Sequence, residues 1–255
     1  MVGRRPEHRR ESREQRNRGV LRSLVRLCVA AALLCGLVFG TMVLSPYALE
    51  SLDDLGTVDD IRFGDRPSPS SDPPPAGERD PEVTDPNDPG ESSYETDIEA
   101  VSSETVEDFV HAEVNDRRAE HGLGPLEWDG TVGSVARAHS YDMADREYFG
   151  HTNPDGDGPY DRFTAVDDYC QGYGENIALT WVDRSVEEPG GNGIVTYRTA
   201  EAVATGLVNQ WMNSTDHRDA ILENHDTPGW DRAGVGVYIT DEGQVYASQN
   251  FCHEW

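Results

Sequence analysis

The feature that most restricts this chain is a run of eighteen uncharged residues, Leu27 to Leu44 (LCVAAALLCGLVFGTMVL), set directly behind an Arg-rich opening. As a helix such a run is about 27 Å long, against a hydrocarbon core of ~30 Å, so it is long enough to cross a bilayer. Residues 1–26 carry nine Arg and three Glu, and the positive-inside rule then puts this end in the cytoplasm and the chain beyond Leu49 outside. A cleaved signal peptide has an apolar stretch of only about 7–15 residues and a small-x-small site. Here Pro46 interrupts the weak candidate around Tyr47-Ala48. Residues 27–49 are therefore read as an uncleaved signal anchor, with secretion after cleavage as the alternative. Cys28 and Cys35 share a face of that helix and are read as lipid-facing or packed.

The formal charge of the whole chain is −27, with 48 Asp and Glu and no Lys at all. Every cation is an Arg. An acidic, Lys-free surface is the pattern expected at high salt, where the Debye length falls to about 3 Å near 1 M and repulsion among carboxylates is screened. The same charge argues against a nucleic-acid partner.

From residue 50 to 97 the composition turns to Asp, Glu, Pro, Ser and Gly, including PSPSSDPPPAGERDPEVTDPNDPG. Prolines and like charges keep such a segment extended and give it no core. It is expected to be a disordered linker, leaving one folded domain over residues 98–255.

Within that domain, Thr105 to Asp108 has the spacing of a capping box and Val106, Phe109, Val110 and Val114 follow at helical intervals, up to a stop at Gly122. Asp129 can cap a second helix whose stripe is Val132, Val135, Ala136, His139 and Met143. A third is expected over residues 199–212 and a short fourth over 217–222. Residues 234–240 (GVGVYIT) and 244–251 (QVYASQNF) read as a hairpin, joined in a small sheet by 176–181. The expected class is α+β, with helices on both faces of a small, mostly antiparallel sheet. Cys170 and Cys252 are the only cysteines of the domain; in an oxidising compartment an even pair is most simply a disulfide, with free thiols as the alternative.

Four segments carry a resemblance. They are Val114-Asn115-Asp116-Arg117-Arg118 with His121-Gly122-Leu123 and Pro125-Leu126-Glu127-Trp128; Ala138 to Ala144 running on to Tyr148-Phe149-Gly150-His151; Gly172-Tyr173-Gly174-Glu175-Asn176-Ile177-Ala178; and Trp211 to Ser214 with Asp216-His217-Arg218 and Ile221-Leu222. In this order, with a closing Gln249-Asn250-Phe251, they resemble the CAP superfamily of cysteine-rich secretory proteins, antigen five and pathogenesis-related proteins, also called the SCP domain, in a prokaryotic-style form. The resemblance implies an α-β-α sandwich and a cleft with two His and two acidic residues. Matched position by position, these are His151, Glu175 and His217. The fourth departs: Ser214 stands where many eukaryotic members have Glu.

A carboxylate at the mouth of an apolar strand is unusual, and a cleft that gathers His151 and His217 beside Glu175 accounts for it. Glu175 can accept an imidazole N–H and fix its tautomer. Two neutral imidazoles can bind Zn or another divalent ion, with Glu175 as a ligand or behind one, and such a metal can polarise water. The purely structural alternative has His151 anchoring the Gly150 turn, His217 capping the fourth helix and Glu175 bonding backbone amides. Neither a Gly-x-Ser-x-Gly elbow nor a His-Glu-x-x-His motif is present. Asn153 to Gly158 lacks the spacing of a calcium loop and reads as a turn. His139 reads as a packed core residue, and Asn213-Ser214-Thr215 is a glycosylation sequon.

Three functions remain open at this point. One is a membrane-anchored extracellular domain binding a small apolar or lipid, glycan or peptide ligand, as relatives implied by the resemblance do. The second is a metal-assisted hydrolase or peptidase in the same cleft. The third is a structural surface module.

Overall fold

The computed structural model describes residues 68–166, 170–191, 193–224 and 229–254. The Arg-rich opening, the Leu27 to Leu44 run with Cys28 and Cys35, and the linker up to residue 67 lie outside the described residues. Among the described residues no helix is long and apolar enough to cross a membrane.

The elements run β1 (Ser93–Glu95), β2 (Ala100–Ser102), α1 (Ser103–Glu120), β3 (Glu127–Trp128), α2 (Gly130–Asp145), α3 (Pro159–Val166), β4 (Cys170–Trp181), β5 (Ser185–Glu187), β6 (Ile194–Thr196), α4 (Ala200–Asn213), α5 (Thr215–Ile221), β7 (Arg232–Ile239) and β8 (Gln244–Glu254). The main sheet has the order β3-β7-β8-β4. Only β3 and β7 pair in parallel; β7–β8 and β8–β4 are antiparallel. Two small hairpins, β1–β2 and β5–β6, stand beside it.

The alternation Gly234-Val235-Gly236-Val237 explains why two helical layers fit on this sheet. Val235 and Val237 point to one face and join Val106, Val110 and Val114 of α1 and Val203, Leu207 and Trp211 of α4 in the main core. The glycines face α2, and a Cβ on Gly236 would lie 1.9 Å from the backbone nitrogen of Arg137. Residues two apart share a face of a strand, so the absence of two side chains lets a whole helix lie against the backbone. Asp129 caps α2, its side chain accepting from the Val132 amide at 3.0 Å. The stripe Val132, Val135, Ala136, His139 and Met143 is buried throughout.

Several boundaries differ from the sequence reading. Helix α1 is capped one turn earlier than Thr105, by Ser102, whose hydroxyl accepts from the Thr105 amide. The last short helix begins at Thr215, so that His217 is inside its first turn. Helix α3, the two small hairpins and β3 were not legible, because each is too short to display a period. The disulfide is formed: Cys170 and Cys252 join the first residue of β4 to the sheet's last strand, with Cα atoms 5.4 Å apart.

The largest correction concerns residues 68–97, expected to be disordered linker. They lie along α1 and α2 as a strap. The Ala76 amide donates to Asp108 at 2.8 Å, the Trp128 indole donates to the Glu78 carbonyl at 2.9 Å, and the Asp85 amide donates to Ser134 Oγ at 2.9 Å. Arg79 enters an ion pair with the wholly buried Glu107, and Arg137 pairs with the same carboxylate at 3.1 Å and with Asp88 at 2.9 Å. The strap thus supplies Arg79 and Asp88, two of the four charges of a buried quartet. Composition argues for disorder only when charges lack partners; here the partners sit on helices far along the chain, and prolines reduce the entropy lost on docking.

Candidate functional site

Strand β4 is an edge strand of the main sheet, and two outward carbonyls of that edge are covered by α4. The Trp211 indole donates to the Ile177 carbonyl at 3.1 Å and the Gln210 amide to the Leu179 carbonyl at 3.2 Å. Covering an edge in this way removes a pairing hazard. It also lets side chains from the two faces of the sheet meet beyond β4. His151 comes from the loop after α2, His217 from α5, and their ring centroids are 6.5 Å apart.

Glu175 holds the His151 ring from within the protein, not in the open. Its side chain is 1% exposed, whereas that of His151 is 46% exposed. Glu175 Oε1 accepts from His151 Nδ1 at 2.9 Å and Oε2 accepts from the Arg162 guanidinium at 2.7 Å. The Asn250 amide, turned to donate, reaches Oε2 at 3.3 Å from the adjacent strand. His139 Nε2 lies 3.8 Å behind the carboxylate. Burial by itself would raise the Glu175 pKa, yet the hydrogen bond from His151 and the charge and hydrogen bond of Arg162 leave it below the usual carboxylate value. It is an ionised, saturated acceptor. His217 is held below its ordinary value first by burial and then by the neighbouring His151, which favours a neutral imidazole.

The Asn176 amide donates to the His217 carbonyl at 3.2 Å, pinning the first turn of α5 to β4. Ser214 joins α4 to α5 in an extended conformation and makes no side-chain capping bond there. Ser214 and His217 line one wall of a groove of about 440 Å³, completed by Phe149, Ile177, Ala178, Leu179, Pro189, Gly190, Gln210, Trp211 and Asn213. That volume lies in the range of small-molecule sites, about 300–1,000 Å³. Phe149 is 50% exposed at the rim. Neither Glu175 nor His151 lines this groove; the His151 ring stands beside it, 6.5 Å from that of His217. Gly174 makes room for the Trp230 ring, which a Cβ there would meet at 3.0 Å.

The metal reading meets a geometric difficulty. Among the described residues no group of three or more His, Cys, Asp and Glu side chains is arranged to hold a metal ion. Glu175 has both oxygens engaged, so among the described residues it offers no free oxygen as a third ligand beside His151 and His217. Asn153 to Gly158 is a turn, with Asn153 Oδ1 accepting from the Asp155 and Asp157 amides at 3.0 and 2.9 Å. A larger hollow of about 550 Å³ on the far side of Arg162 is lined by Asp142, Asp155 and other carboxylates, and Asp142 and Asp155 are paired with Arg146. Arg162 and His139 are the residues that sequence reasoning did not assign to the site. His139 sat in plain view on the α2 stripe; Arg162 lies in an eight-residue helix with one buried side chain, Phe163.

The model of the cysteine-rich secretory protein family, CAP, matches residues 111–251. The uncharacterized membrane protein YlbC of Bacillus subtilis (strain 168) is 33% identical over 138 residues, 54% of this chain and 32% of that protein. YkwD of the same organism, also uncharacterized, is 33% identical over 135 residues, 53% of this chain and 42% of its own length. The chain therefore spans less than half the length of these two curated relatives. An extracellular SCP-domain protein from Bacillus anthracis aligns with 30% identity and a TM-score of 0.42 over 57% of this chain and 39% of its own. An outer surface protein from Borrelia burgdorferi aligns with 18% identity and a TM-score of 0.48 over 64% of this chain and 98% of its own. With the family's segments in order and its model covering more than half of the residues, the chain belongs to the CAP, or cysteine-rich secretory protein, family.

Proposed function

We propose that this protein is a CAP domain, anchored on the outer side of the cell membrane by its N-terminal run, that binds a small ligand with an apolar body and a polar head. The body lies in the groove over Trp211 and Leu179, and the head meets His151, His217 and Ser214. The observation that carries this reading is the division of labour between the groove and Glu175. The groove is open and largely apolar, while the carboxylate that a hydrolase would need as base or ligand is buried with both oxygens occupied. A general base must be able to reach the proton it removes; Glu175 faces an imidazole and a guanidinium instead. The location is supported by the uncharged run behind the Arg-rich opening and by the relative YlbC, an uncharacterized membrane protein.

The test is a titration of the full-length chain with dodecanoate, an apolar chain with an anionic head, monitored by tryptophan fluorescence at multimolar salt. Saturable binding at one site per chain is expected, weakened at least tenfold by Phe149→Ser, which removes an aromatic contact worth roughly 1.5 kcal/mol or more. Binding of equal strength in Phe149→Ser, or none in the wild type, would contradict the proposal.

A further inference from the structure

We propose that Arg162 is the positioning residue of this site, the single side chain that fixes both the backbone and the ring of His151. The inference rests on the reading above that His151 belongs to the binding site, and it concerns how that imidazole is held.

Three contacts converge on one guanidinium. Arg162 Nη1 donates to the carbonyl of His151 at 3.0 Å and to the carbonyl of Asp157 at 3.0 Å, and Nη2 donates to Glu175 Oε2 at 2.7 Å. The other oxygen of the same carboxylate holds the His151 ring. The contacts close a circuit: Arg162 to the His151 backbone, His151 ring to Glu175, Glu175 back to Arg162. An Arg can do this because its donors form a rigid planar fork; the compact ammonium of Lys cannot reach two carbonyls and a carboxylate at once.

The circuit has a chemical consequence. An ionised carboxylate only accepts hydrogen bonds, and against the cost of burial the hydrogen bonds from His151 and Arg162 and the Arg162 charge hold Glu175 below the usual carboxylate value. His151 must then present its proton at Nδ1. In the neutral ring this leaves Nε2 as a bare acceptor on the half-exposed side, ready for a donor on the ligand. Arg162 itself is largely buried, with 11% of its side chain exposed, so it acts through His151 and not on the ligand. Helix α3 is short and has one buried apolar residue; these polar contacts therefore also secure the helix that carries Arg162.

The experiment uses the full-length chain labelled with ¹⁵N in its histidines, the His151 resonances being identified by their loss in His151→Gln. In the wild type the ring is expected as the Nδ1–H tautomer. In Arg162→Gln the carboxylate and the His151 backbone lose the fork that seats them against each other, so the Nδ1–H bond to Glu175 should loosen and the two tautomers mix, the ratio moving by roughly tenfold or more as that charge-assisted bond is lost. The His111 and His253 resonances should stay in place, showing that the fold is intact. Should Arg162→Gln not fold, Arg162→Lys serves, with a smaller shift in the same direction. An unchanged, single Nδ1–H tautomer in the folded variant would overturn the proposal. The tautomer is read without any ligand, so a failure of dodecanoate to bind would count against the ligand reading and leave this result standing.

Discussion

Two buried glutamates hold the two halves of this domain, and they are built from the same parts to opposite ends. Glu107 lies under the strap, wholly buried, with Arg79, Arg137 and the Val237 amide on its oxygens. Glu175 lies beyond the edge strand with Arg162 and His151 on its oxygens. Each carboxylate is matched by cations, as burial requires. The difference is in what stands on the outer side. Around Glu107 no partner is more than 18% exposed, and desolvation dominates, pushing its pKa up to about 7. Around Glu175 one partner is an imidazole with nearly half of its side chain in solvent, and the carboxylate is pulled down. A sealed charge cluster serves the fold. The same kind of cluster with one exposed imidazole arm is the one proposed to serve a site.

Removing each carboxylate in turn separates the two clusters by the largest effect. Glu107→Ala leaves Arg79 and Arg137 facing each other in the interior, with the Val237 amide unpaired, and is expected to cost about 3–5 kcal/mol. Glu175→Gln keeps the shape and an acceptor for one partner while Arg162 has other carbonyls to bond, and should cost only about 1–2 kcal/mol. Urea denaturation of the full chain at constant high salt measures both. Equal costs would mean that the two clusters play the same structural role.

A smaller effect separates them by pH. Burial, the largest influence, holds His139 to about 4, well below its ordinary 6.5, despite the nearby Glu175. The native state therefore binds fewer protons than the unfolded one between those values. This contribution is complete above pH 6.5 and is lost as pH falls toward 4. Glu107, raised from 4.5 to about 7, works in the opposite sense between those values, but it is common to both chains in the following test. His139→Gln should lose less stability than the wild type between pH 6.5 and 4. Parallel profiles would show that His139 is not kept neutral by its surroundings.

How much of this was legible before the fold depended on how far apart the partners lie. Helix α2 announced itself through Asp129 and a stripe at helical spacing, and Gly234 to Val237 through strict alternation, since both signals are local. The cysteine pair was legible from compartment alone. His151, Glu175 and His217 came from the resemblance, whose segments are separated by tens of residues. The strap was missed because Arg79 and Asp88 look like solvated charges until α1 and α2 bring Glu107 and Arg137 to them. Arg162 was missed because its three partners come from a loop and from β4, and nothing in PYDRFTAV shows that a guanidinium must turn inward. The sealing of Glu175 was likewise out of reach, since exposure is a property of packing.

In the proposed function, ligand meets His217 in the groove and His151 beside it, and not the buried charges behind them. Adding dodecanoate to the histidine-labelled full-length chain tests this directly. The His151 and His217 resonances are expected to move with saturation while those of His111, His121 and His253 do not. Saturable binding that leaves both His151 and His217 unmoved would contradict it.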